Sequence, residues 1–276
     1  MKSLWTTFRY TFTHLRWQII GWGLGLALYG LMIVPMYETL GAQPDRFQQM
    51  IANYPPAFLA FFGADVNSPI TPTGFLSMYA FSMLPIIVGI FAVLSGSGLI
   101  VSDEEHGRLD LIIAHPVGRP PFFWGRFLGL LGAAVSIMIL GWLGFSIMLG
   151  NSSLGFSWGQ MAIPFLPLLV QTLLFAAFAL VLSMLLPSRS LAAMISGAFL
   201  VISYMISSLS FLSKNLDMVS KVFPYHYYQT ALSFEQLNLT WLFALLGISL
   251  VMTLFAYARF IKRDIRLSGE GSWRRK

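Results

Sequence analysis

The sequence predicts an all-α membrane protein with six transmembrane helices and an N-terminal amphipathic interfacial helix. Composition is the first reason. Only 10% of the residues are charged and 57% are apolar, with a mean hydropathy of +0.72, whereas soluble domains carry roughly 25% charged residues. Buried core helices of a large soluble protein are excluded, because too little polar sequence remains to coat such a core. Run length is the second reason. A helix needs about 20 apolar residues to cross a hydrocarbon core of about 30 Å, and six stretches qualify: residues 17–37, 75–101, 122–149, 161–186, 191–212 and 240–257. Charge asymmetry is the third. With an even number of spans both termini share one side, which would hold fourteen Lys and Arg residues against three on the other. The positive-inside rule then puts both termini in the cytoplasm.

Taken in order, residues 1–16 read as the interfacial helix. Leu4, Trp5, Phe8, Phe12 and Leu15 recur at helical spacing, with Lys2, Arg9 and Arg16 elsewhere, so the helix is expected to lie along the cytoplasmic surface. Trp5, Phe8 and Arg9 are its candidate contact residues. The first span starts late and lacks a small-residue cleavage site, so it is expected to stay in the protein. Residues 38–74 form a long external loop, broken by Pro55-Pro56, Pro69 and Pro72. After the second span comes a charged island, residues 102–121, then the third span and a short uncharged loop. Spans four and five are joined by a tight hairpin at Pro187-Ser188-Arg189-Ser190. A second external segment, 213–239, contains FPYHYY at 223–228 and leads to the last span and a basic tail. The whole chain, 1–276, reads as one transmembrane domain.

Several chemistries are excluded or disfavoured. There is no cysteine, which removes disulfides and thiolate metal sites. A P-loop needs a Gly-rich turn before Lys and Ser or Thr, and no lysine here follows such a turn. His14, His106, His115 and His226 include no pair four residues apart, so no metal site is expected. A charge at mid-membrane costs about 2.5–3.5 kcal/mol and is kept where an ion path needs it. No span interior keeps one, which disfavours an ion-coupled secondary transporter acting without an ATPase. That carrier is nevertheless the alternative function. An intramembrane lipid enzyme would have only His106, His115 and the acidic island to work with. The net charge of +6 points to anionic lipid headgroups rather than nucleic acid.

The island is the most informative stretch. Residues 75–101 and 127–188 contain no Asp, Glu, Lys or Arg, yet between them stand Asp103, Glu104, Glu105, Arg108, Asp110, Arg119 and Arg126. Such charges are expected where water or a partner protein meets them. Asp103, Glu104 and Glu105 would open a short helix, where carboxylates favour the dipole. Leu109, Ile112 and Ile113 would form its apolar patch, and Pro116 would end it. A solvated loop at headgroup level fits the same residues equally well.

The segment DEEHGRLDLIIAHPVGR (103–119), with Gly125-Arg126 following, resembles the signature of type-2 ABC exporter permeases. Glu104, Glu105, Gly107, Leu109, Asp110, Leu111, Ile112, Pro116, Val117 and Arg119 match in register. His106 stands where the family has a basic residue, Arg108 where it has Thr, Gly118 where it has Ser, and Arg126 where it has Lys. FPYHYY is similar to a segment before the last span of many of these permeases. The resemblance implies a type-2 ABC exporter-like fold and a transport subunit, itself no enzyme, of a prokaryotic cell membrane. It implies pairing with a second permease copy and two ABC ATPase subunits, which would bind ATP and Mg; the chain itself would hold no cofactor. It also implies that Asp103, Glu104, Glu105, His106, Gly107, Arg108, Leu109 and Ile112 couple to the ATPase, helped by the N-terminal helix. A substrate path along spans one, two and five would pass Met32, Met36, Phe81, Met83 and Met205. The expected cargo of this multidrug or lipid efflux is amphiphilic or lipophilic, because the spans offer no charged site.

Overall fold

A computed structural model describes residues 2–41, 55, 71–107, 109, 118–210, 213–230 and 232–263. Among the described residues there are helices and turns and no strand. Six helical segments are long and apolar enough to cross a membrane: Arg16–Thr39, Pro72–Gly98, Arg119–Asn151, Trp158–Leu185, Arg189–Ser208 and Leu239–Lys262, here spans one to six. In hydrocarbon a helix satisfies its own backbone groups, which uncharged runs of this length require. The external loop expected at 38–74 lies mostly outside the described residues.

Span four is the axis of the bundle. It packs against spans two and six, and more lightly against span five, while span three packs against span one. Accordingly 72% of its most apolar stretch is buried, against 33%, 28% and 22% for spans one, five and six. Those three therefore turn large apolar side chains outward, among them Leu28, Met194, Phe243 and Val251. Small residues set the closest approaches. A Cβ at Gly96 of span two would sit 2.3 Å from the Ala176 carbonyl oxygen, and one at Gly144 of span three 2.2 Å from Ala27 Cα.

The N-terminal helix, Lys2–His14, is fastened to span three by a stepwise match. A Cβ at Gly125 would meet Thr7 Cβ at 2.6 Å, and one at Gly129 would meet Thr11 Cβ at 2.6 Å. Both pairs advance by four residues, so the two helices run side by side over these turns. Thr7 and Thr11 return their hydroxyls to the carbonyls of Ser3 and Thr7 at 3.0 and 2.9 Å, which leaves their methyl groups to pack on the glycines. The buried face is thus the threonine face plus Leu15. Trp5, Phe8 and Phe12 form a stacked flank, at 5.1 and 5.9 Å between successive rings, and Trp5 is exposed.

Span two is broken in its outer half. Pro72–Leu76 is α-helical, then one wide turn follows in which the Ser82 amide bonds the Ser77 carbonyl at 2.9 Å, and regular helix resumes at Leu84–Gly98. Met83 N–H donates to Ala80 and Ile86 N–H to Met83, at 3.1 Å each. The carbonyls of Tyr79 and Ser82 thereby lose their usual helical donors. Two tyrosines replace them: Tyr29 of span one donates to the Tyr79 carbonyl, and Tyr225 of the FPYHYY segment to that of Ser82. Phe81, Phe145, Phe165 and Phe234 cluster nearby at 5.5–5.7 Å. They join spans two, three and four to the segment before span six.

Candidate functional site: the charged island

After Gly98 the chain turns at Leu99–Ile100 and makes one further helical turn, Val101–Glu105. The three acids occupy that turn, with Asp103 and Glu104 in its first turn; most of the helix expected to follow lies outside the described residues. Ile100 and Val101, at the start of this turn, are buried. Residues one apart on a helix point about 100° apart. Three consecutive carboxylates therefore splay over most of a circle, and each reaches a different span.

Asp103 forms an ion pair with Arg126 in the second turn of span three. The Arg126 guanidinium also lies over the rings of Tyr10 and Phe122, at 5.1 and 5.2 Å. Glu104 pairs with Arg263 just beyond span six, and Arg263 donates to the Met184 carbonyl of span four at 3.3 Å. Arg119, opening span three, donates to the carbonyls of Ile261 and Arg263 at 2.9 Å each, which satisfies acceptors left over at the end of a helix. Glu105 accepts the backbone N–H of Arg189, the first residue of span five, at 2.8 Å. Spans two, three, five and six are tied together at one point.

Charges expected at the surface are in large part inside. Asp103, Glu104 and Arg126 are only 7%, 3% and 5% exposed, and Leu109 is 1% exposed. Burial of a charge demands a partner, and each of the three has one. Glu105 and His106 are the exposed members. His106 donates from Nδ1 to the Ser102 carbonyl at 2.6 Å. Gly107 has φ 65°, a left-handed conformation that ends the turn and that only glycine adopts without strain. Arg108 and Ile112, also expected to couple, lie outside the described residues. Arg9 is exposed and Phe8 half-buried.

The residues expected along a substrate path do not share one environment. Met32 of span one and Met205 of span five are 60% and 44% exposed, and Met36 is half-buried. Phe81 is enclosed in the aromatic cluster, and Met83 receives the Tyr204 hydroxyl at 3.7 Å. His226 stands against the rings of Tyr227 and Trp241, at 5.1 and 6.2 Å. Among the described residues no group of three or more His, Asp or Glu is placed to hold a metal.

Sequence reasoning missed Arg263 and Arg189 as partners of the island. Arg263 reads as one more basic residue after the last span, and no local pattern links it to an acid 159 residues earlier. Arg119 and Arg126 carried a signal, since both belong to the matched motif.

Residues 4–260 match the family described as multidrug efflux system permease Rv1217c, C-terminal domain. No curated protein matches the chain. With nearly its whole length covered, the chain belongs to this permease family, consistent with the type-2 ABC exporter permeases that its 103–119 segment resembles.

Proposed function

We propose that the chain is the membrane subunit of an ATP-driven exporter that expels amphiphilic or lipophilic compounds. It works as a pair of permease copies with two separate ATPase subunits, in the cell membrane of a prokaryote, both termini cytoplasmic. The observation that carries this reading is the island. An exposed pair, Glu105-His106, stands on a base whose buried acids grip spans three and six. A push on that pair by an ATPase therefore reaches several spans at once, through ion pairs instead of a flexible loop. Asp103 and Glu104 transmit, while Glu105 and His106 meet the partner together with Trp5 and Arg9 of the N-terminal helix. ATP and Mg bind the partner.

The test is reconstitution. The purified chain alone should hydrolyse no ATP, and co-expression with a cognate ATPase should give turnover stimulated by amphiphilic drugs or lipids. Uptake driven by a pH or Na⁺ gradient in liposomes holding only this chain would replace the proposal with an ion-coupled carrier.

A further inference from the structure

At the island end, where the N-terminal helix bends into span one, a cleft of about 150 Å³ opens towards the end of span two and the start of span five. Its polar lining includes His14, Gln18, Ser95 and Ser102, with the Asp103–Arg126 pair and Arg189. Charge decides what fits. Asp103, the acid in the lining, is already matched by Arg126. Arg189 is different. Its guanidinium donates to the Leu94 carbonyl at 3.3 Å and lies against Gly98, where an added Cβ would fall 2.8 Å from the guanidinium carbon. Glu105 takes its backbone N–H and leaves the side chain alone. Among the described residues no carboxylate forms an ion pair with that guanidinium, which has five N–H donors in all. Ser95 donates to Gln18 Oε1 at 2.9 Å, so the Gln18 amide N–H groups remain for a ligand.

A cationic cleft of this size is too small for a drug-sized molecule, which needs about 300 Å³ or more, and suits a phosphate group. Its surroundings supply the rest. Leu94 and Ile90 on span two are 46% and 45% exposed, and Leu191 and Ile195 on span five 37% and 41%. They lead away from the cleft along the spans, as an acyl chain would run. We propose that the cleft binds the phosphate headgroup of an anionic lipid in the leaflet facing the island. Arg189 supplies the charge and a planar donor fork; Gln18, Ser95 and Ser102 supply neutral polar contacts. The proposal concerns binding alone, whether or not that lipid is carried across.

The experiment uses the purified full chain in non-ionic detergent, with phosphatidylglycerol or phosphatidylcholine added at equal concentration and bound lipid counted by native mass spectrometry. The chain should retain phosphatidylglycerol preferentially. Arg189→Ala should weaken that retention about tenfold or more, and Arg189→Lys should keep part of it. Gln18→Phe changes an exposed position, so it leaves the fold intact while filling the cleft, and it should abolish the preference with Arg189 still present. Lys262→Ala, at the same end but outside the cleft, should change nothing. Equal retention of both lipids by the unaltered chain overturns the proposal, as does loss with Lys262→Ala to the same degree. Preference surviving both Arg189→Ala and Gln18→Phe overturns it too. Inorganic phosphate that displaces phosphatidylglycerol at similar concentration would make the free ion the ligand and remove the lipid; phosphate without effect supports the lipid.

Discussion

The two ends of this bundle are held by different chemistry. At the island end, Asp103–Arg126 and Glu104–Arg263 join spans by charge. At the opposite end, Tyr29 and Tyr225 join them by neutral hydrogen bonds to a broken backbone, amid packed phenylalanines. A buried ion pair gains little net stability but is expensive to break from one side. It can be remade with another charge, from water or a partner. A phenol bonded to an orphaned carbonyl has no such alternative in an apolar setting, and burial pushes the Tyr225 hydroxyl well above its ordinary pKa, so it stays a donor. The island end is therefore built to be rearranged, and the tyrosine end to stay as it is.

Breaking the charged end from one side should give the largest effect. Arg126→Leu leaves Asp103 buried without its cation, and loss of one partner of a buried pair costs about 3–5 kcal/mol. The variant should show a sharply lower Tm and poor recovery as a single species in detergent. Adding Asp103→Leu should restore most of the loss. A double variant as unstable as Arg126→Leu would mean that cation–π packing on Tyr10 and Phe122, not charge, holds this end.

Arg263→Ala comes next, because Arg263 is somewhat more open, with 14% of its side chain exposed. Glu104, left buried without its cation, predicts a loss near the low end of the range for a broken buried pair, about 3 kcal/mol. The exchange Glu104→Arg with Arg263→Glu should recover part of that Tm. Failure of the exchange would show that the Met184 carbonyl bond matters more than the ion pair.

How much of this was legible in the sequence differs between the ends. Hydropathy located the spans, since no uncharged run of such length has another stable home. The motif located the island. Neither showed that Asp103 and Glu104 point inward. The phase of three consecutive residues covers most of a helix circumference, and the partners of Glu104 and Glu105 lie 159 and 84 residues away. The break in span two was hidden for the opposite reason: residues 75–101 are uniformly uncharged, and only Pro85 hinted at it. FPYHYY was visible as a motif, but its bond to Ser82 crosses 143 residues. Gly125 and Gly129 pack against the N-terminal helix of the same chain, while a Cβ placed at Gly21 or Gly25 would meet nothing within 4 Å among the described residues.

The tyrosine end should give a smaller and more uniform response. Tyr225→Phe removes the donor to Ser82 and Tyr29→Phe the donor to Tyr79, each at about 1 kcal/mol. The two carbonyls are separate acceptors, so the losses should add in the double variant. A double loss well beyond the sum, read by thermal denaturation in detergent, would mean that the break in span two opens as a unit and that this end also rearranges.

The smallest change in stability should come from Glu105→Gln. Glu105 is exposed, and its Oε1 accepts only a backbone N–H from Arg189, a bond that a glutamine carbonyl still accepts. Surface substitutions of this kind stay within about 0.5 kcal/mol, so Tm should not move. If charge at the island is there to meet a partner, ATP turnover of the reconstituted complex should nonetheless fall, and fall further with His106→Ala added. Unchanged turnover would confine the island's acids to fastening spans together. A drop in Tm as large as that of Arg126→Leu would instead make Glu105 a third structural tie and leave the exposed pair without a carboxylate to offer.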